Sequence, residues 1–127
     1  MSGIQADPNA VLEFAQKKGA KLLDLRFTDL PGLWHHVSFP IQQVSEASFE
    51  DGFGMDGSSI RSWAAIHESD MLLIPDPNFY IMDPFTHAPT LVMVADVIDP
   101  VTKQRYDRDP RYIAKKAEMY LMSTGRL

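Results

Sequence analysis

Two alternating stretches joined by a proline–glycine turn constrain this chain more than any other feature. Over residues 21–28, Leu23, Leu25 and Phe27 alternate with Asp24, Arg26 and Thr28. Leu33, His35, Val37 and Phe39 then alternate with Trp34, His36 and Ser38. A repeat of two is the signature of a half-buried strand, because successive side chains leave opposite faces. Asp29-Leu30-Pro31-Gly32 lies between the two stretches, and Pro-Gly at the centre of the bend fits a type II turn. The pair therefore reads as a β-hairpin with one apolar face, and that face needs a covering layer.

The flanking segments offer such a layer. Residues 7–18 read as a helix: Asp7 caps it, Pro8 suits its first position, and Gly19 suits the position after its end. Val11, Phe14, Ala15 and Lys18 fall on one side. Pro40 opens a short helix with Ile41, Val44 and Ala47 at helical spacing. Residues 50–69 read as one long loop, and loops of that length are often functional. Met71–Ile74 is a buried strand stopped by Pro75, Phe79–Met82 a short edge strand, and Thr90–Ile98 a nearly all-apolar central strand. Asp109-Pro110 starts a last helix that carries Ile113, Ala117 and Tyr120 on one face and stops at Gly125. This order predicts an α+β domain: a small mixed or antiparallel sheet with a helix on one face.

Composition narrows the function classes. A chain of 127 residues is one domain by length, and 45% hydrophobic residues give it a core. No apolar run approaches the roughly 20 residues needed to span a bilayer. No basic start followed by an apolar stretch marks a secretory signal. Cysteine is absent, which removes disulfides, thiolate metal sites and a cysteine nucleophile, and fits a cytoplasmic setting. The net charge is −5, and Lys17, Lys18, Lys115 and Lys116 are scattered as solvated pairs, so neither nucleic acid nor a membrane is an expected partner.

The chemistry-bearing stretch is Met55-Asp56-Gly57-Ser58-Ser59-Ile60, followed by Glu68-Ser69-Asp70. Gly57 allows a tight bend, and Ser58 and Ser59 can fix it by hydrogen bonds to backbone. An acid carried on such a bend is held at one point and turned outward. The plain alternative is that Asp-Gly is only a turn. Asp56, Glu68 and Asp70 also form a set of oxygen donors of the kind hard cations take. The histidines make no ligand set: His35 and His36 are adjacent in a strand and leave opposite faces, while His67 and His87 lack partners at ligand spacing. The methionines read as core filler. No phosphate-binding glycine loop of the P-loop kind is present.

Five segments in order give the chain a family resemblance. They are Leu23-Asp24-Leu25-Arg26-Phe27-Thr28-Asp29; Asp56-Gly57-Ser58-Ser59-Ile60 with Trp63; Glu68-Ser69-Asp70-Met71; Asp83-Pro84-Phe85; and Tyr106-Asp107-Arg108-Asp109-Pro110-Arg111. Together they resemble the N-terminal domain of bacterial-type glutamine synthetases. The resemblance implies a β-grasp domain over residues 1–107 and, over 108–127, the first helix of a catalytic domain that continues beyond Leu127. It implies the ATP-dependent joining of ammonia to glutamate through a γ-glutamyl phosphate, in a dodecamer of two hexameric rings with active sites between neighbouring subunits.

In that scheme Asp56 is lent to the adjacent subunit, where it binds ammonium and helps deprotonate it. Ser59 lies on the same ammonium side, either accepting a hydrogen bond from the cation or only stabilising the loop. Trp63 lies at the subunit interface or at the edge of the nucleotide. Asp70 shapes the loop and the subunit boundary. ATP and the divalent metals, Mg2+ or Mn2+, are held by residues of the following domain, so no metal ligand is expected here and this chain alone is expected to be inactive. Two other readings stay open: a β-grasp interaction module contacting partners through Trp63 and the last helix, and a relative that ligates an amine other than ammonia.

Overall fold

The computed structural model describes residues 7–56 and 70–125. Helix α1 (Pro8–Lys17) starts where the sequence predicts. The Asp7 carboxylate accepts the backbone N–H of Asn9 at 3.0 Å, and Gly19 follows the helix at φ +68°. Strands β1 (Leu22–Thr28) and β2 (Trp34–Pro40) form the predicted antiparallel hairpin, with Asp24 opposite Ser38 and Arg26 opposite His36. The turn is not type II centred on Pro31-Gly32. Its hydrogen bond runs from the Gly32 N–H to the Asp29 carbonyl at 3.0 Å, and Asp29 and Leu33 pair around a three-residue loop. Gly32, at φ +97°, ends that loop in the left-handed conformation such hairpins require.

Beyond the hairpin the predicted short helix divides. A 3₁₀ turn covers Ile41–Gln43, and helix α2 covers Ser48–Asp51. Residues 50–56 of the segment read as one loop are not loop: α2 runs to Asp51, and strand β3 (Phe53–Asp56) follows it. The two segments predicted on either side of Pro75 belong to one strand, β4 (Asp70–Met82). Proline cannot donate to a ladder, but β4 continues past it because the pairing changes register there. Pro75 stands opposite Ala95 and Tyr80 opposite Met93, so residues 76–79 face Val94 alone. Such an irregularity re-aims a strand without ending it. Strand β5 (Thr90–Ile98) is central, as predicted, and helix α3 (Pro110–Ser123) closes the described chain.

The sheet order is β2-β1-β5-β4-β3. β1 and β5 are parallel and the other neighbours antiparallel, so this is the mixed sheet of an α+β domain. One face forms the core. Leu23, Leu25 and Phe27 of β1, Leu91, Met93, Ala95 and Val97 of β5, and Met71 and Leu73 of β4 are buried there with Val11 and Ala15 of α1. Phe14 of α1 meets Tyr80 edge-on, with ring centroids 5.0 Å apart. The sheet curls enough for its two edges to touch over this core: Phe39 of β2 and Phe53 of β3 stack at 4.3 Å. Helix α3 buries no residue, and Ile113 and Tyr120 of its predicted apolar face are exposed.

Candidate functional site

Asp56 is the last residue of β3 and lies opposite Asp70, the first residue of β4. The sequence places Asp56 on a glycine–serine bend; Asp56 is the last residue of β3, and the bend residues 57–59 lie outside the described residues. Phe53 and Met55 pair with Leu73 and Met71 and share their core side. Alternation therefore sends Gly54 and Asp56 to the opposite face of the sheet, and Asp70 with Asp56. Both carboxylates are exposed. Two like charges directly opposite disfavour a strand pair, so the pairing here is carried by the buried residues behind them. Asp56 and Asp70 thus mark the two ends of the connection formed by residues 57–69. Ser59, Trp63, Glu68 and His67 lie outside the described residues.

The strand that carries Asp56 is held at its start. Gly52 caps α2 at φ +73°, and a Cβ there would sit 2.5 Å from Ile74 Cδ1 and 2.8 Å from the Leu73 carbonyl oxygen. The chain can pass that close to β4 only as glycine. Phe53 then enters the core, and Asp56 follows three residues on, about 10 Å along an extended strand. A strand-borne carboxylate exposed on an open sheet face can attract a cation and accept a proton from it.

A second polar cluster on the same sheet face escaped the sequence reading, which took Asp24 and Arg26 as an ordinary polar side of a strand. Asp24 is only 5% exposed. Its carboxylate accepts hydrogen bonds from Ser38 Oγ at 3.0 Å and Arg26 Nε at 3.3 Å, and His36 Nδ1 lies 2.7 Å away. Arg26 also donates to Asp83 at 3.1 Å. These residues line an open cavity of about 560 Å³ with Trp34 and His87. The hairpin register is the signal that locates the cluster, because it sets Asp24 beside Ser38 and Arg26 beside His36.

On the core side, His35 stacks on Phe27 and pairs with the Asp29 carboxylate at 2.8 Å. That hydrogen bond, against the opposing effect of burial, holds the Asp29 carboxyl below its ordinary value of 3.8, and the Leu33 N–H adds to it. His35 and His36 therefore serve separate carboxylates on opposite faces, as their adjacency predicts. Among the described residues no group of three or more His, Asp or Glu is placed to hold a metal ion. Among the described residues no helix is long and apolar enough to cross a membrane.

A third cluster ties α3 to the sheet. Asp109 is fully buried; it caps α3 by accepting the Arg111 N–H and also accepts the Val97 N–H of β5, both at 3.1 Å. Burial pushes its carboxyl above 3.8, opposed by those two N–H groups and by the Arg105 charge. Arg111 reaches Asp76 of β4 at 2.7 Å and Asp96 of β5 at 3.3 Å.

Comparison with known proteins agrees with this architecture. The family described as "Glutamine synthetase, beta-Grasp domain" matches residues 19–100. The glutamine synthetase of Aquifex aeolicus is 54% identical over 118 residues, covering 93% of this chain and 25% of that protein. A protein of Cupriavidus pinatubonensis named 3-hydroxylaminophenol mutase is 49% identical over 115 residues, covering 91% of this chain and 24% of its own length. The solved Plasmodium falciparum glutamine synthetase superposes with a TM-score of 0.85 over 98% of this chain and 24% of that one; at 20% identity this likeness concerns the fold. The chain thus spans about a quarter of the length of the relatives it matches. With a family match across the whole sheet and half its residues shared with a glutamine synthetase, the chain belongs to the glutamine synthetase β-grasp domain family.

Proposed function

We propose that this domain works within a glutamine synthetase, where it presents Asp56 to the active site of a neighbouring subunit. The reaction joins ammonia to glutamate through a γ-glutamyl phosphate formed from ATP. The observation that carries the reading is the place of Asp56: an exposed carboxylate at the tip of an edge strand, on the sheet face opposite α1. A residue so placed lies on the surface where a second protomer can approach it, with the core behind its strand.

At neutral pH the nitrogen substrate is almost all ammonium, which has no free electron pair. A carboxylate at the entrance concentrates the cation and takes one proton as general base. The freed ammonia then attacks the γ-carbonyl of the acyl phosphate, and phosphate leaves. Exclusion of water by the second subunit strengthens the pairing of Asp56 with the cation. Asp70 stands opposite and holds the connection from its other end, Ser59 orients the cation, and Trp63 lies at the subunit boundary beside the nucleotide. The described acidic residues do not converge on a metal-binding set. By the family resemblance, ATP and Mg2+ or Mn2+ are assigned to residues of a following domain, where the metal ions would neutralise phosphate charge. The assembly is a cytoplasmic dodecamer of two hexameric rings, and the isolated chain has no ligase activity.

The test is Asp56→Asn in the full-length enzyme. The apparent KM for ammonium should rise at least tenfold and turnover should fall by about 10²–10⁴, the range for loss of a general base. Ammonium kinetics equal to the parent's would overturn the assignment.

A further inference from the structure

We infer that Phe39 is a positioning residue for Asp56, acting across the width of the sheet through Phe53. The inference rests on the Asp56 reading above.

β2 and β3 are the two outermost strands of the five, separated by β1, β5 and β4. In a flat sheet with strands about 4.8 Å apart their side chains would lie far beyond contact. Here the Phe39 and Phe53 rings stack with centroids 4.3 Å apart and planes inclined by 29°. The sheet is curled, and this pair closes the curl on the core side.

The closure matters most for β3. That strand has four residues and hydrogen-bonds to β4 along one edge. Its start is pinned by Gly52 against Ile74 and Leu73. Its first residue, Phe53, is buried between the core and Phe39. Three residues further on, the same rigid segment ends in Asp56. A strand this short transmits a tilt at Phe53 to its tip, because Met55 is the one other residue between them that packs against the core. Removing the Phe39 ring frees Phe53 to turn and loosens the short β3–β4 ladder, and the carboxylate at its end moves with the strand. Displacement of a reacting group by about 1 Å can cost 10²-fold in rate, so a modest loosening is measurable.

The variants are Phe39→Leu, which removes the ring but keeps an apolar side chain, and Phe39→Tyr, which keeps the ring. Val11→Ala, on the buried side of α1 and not on β2 or β3, controls for lost stability. Each is made in the full-length enzyme beside Asp56→Asn. Phe39→Leu should raise the ammonium KM on the order of fivefold, as expected for loss of one aromatic pair, with the glutamate KM unchanged. Phe39→Tyr should stay within about twofold of the parent, since it retains the stacking. Val11→Ala should leave the ammonium KM unchanged. In the full-length enzyme, Phe39→Leu should also speed amide exchange in β3 more than in β1. If Asp56→Asn raises the ammonium KM but Phe39→Leu does not, or if Val11→Ala raises it equally, Phe39 has no positioning role and the Asp56 reading stands. If Asp56→Asn leaves the ammonium KM unchanged, both fall.

Discussion

Asp109 accepts the backbone N–H of Val97 at 3.1 Å, joining the first turn of α3 to the central strand by one buried carboxylate. The same side chain caps α3 through the Arg111 N–H. Loss of an N-cap costs about 1 kcal/mol, and a buried N–H left unsatisfied costs about 1–3 kcal/mol more. Asp109→Ala should therefore destabilise the chain by roughly 2–4 kcal/mol in urea unfolding, and Asp109→Asn by less, because its amide retains one acceptor.

Arg111 makes a different kind of attachment. Its side chain is 34% exposed, and its partners Asp76 and Asp96 are part-exposed. Pairs so close to water contribute under about 1 kcal/mol each. Arg111→Met should thus change stability little yet loosen the direction of α3, which buries no residue of its own. The chain lacks cysteine, so Gln16→Cys with Ala117→Cys can be spin-labelled cleanly. The α1–α3 distance distribution should broaden in the Arg111→Met background and in high salt; an unchanged width in both would show that α3 is held by something else.

Acid should act on the buried carboxylates of Asp29 and Asp109 in opposite senses. The Asp29 carboxyl lies below 3.8 in the folded state. The unfolded chain then binds more protons, so the Asp29 contribution is full above 3.8 and disappears as pH falls through the lowered folded value. Asp109 lies above 3.8. Its contribution is full below 3.8 and declines as pH rises through the raised value. Urea unfolding between about pH 3 and pH 7 should show a shallower acid-side loss for Asp29→Asn. Asp109→Asn should instead lose the decline on the other side. Parallel profiles for parent and both variants would contradict these directions.

Gly52 predicts the sharpest local damage. Alanine at φ +73° adopts a disfavoured backbone and drives a Cβ to 2.5 Å from Ile74 Cδ1. Left-handed strain of about 1–2 kcal/mol and overpacking of about 1–3 kcal/mol together give a loss of roughly 2–5 kcal/mol. Thermal unfolding of Gly52→Ala should show it, with amide protection in β3 reduced before that in β1.

The hairpin and the central strand were legible because their alternation is long and a turn signal sits at the right spacing. β3 was not, since Gly52 and Gly54 leave only Phe53 and Met55 to show a period. The two parts of β4 read as separate strands because the inward row shifts from Met71, Leu73 and Pro75 to Tyr80 and Met82. Burial of Asp24 was hidden because its cluster is completed by Asp83, which the chain brings beside Arg26 from 57 residues away. Asp56 and Asp70 were picked out by family resemblance and are placed opposite each other by the β3–β4 register. Ser59 and Trp63 fall outside the described residues, so their part in the site rests on the resemblance alone.

The change of phase within β4 has its own consequence. The strand's inward-facing code is written in two reading frames, odd numbers before Pro75 and even numbers after Tyr80, with residues 76–79 as the spacer between them. A one-residue deletion elsewhere in β4 would turn a whole row of core side chains toward solvent. Within the spacer, a change of length alters neither frame, so this is the place where relatives of different length can diverge while Asp70 keeps its partner.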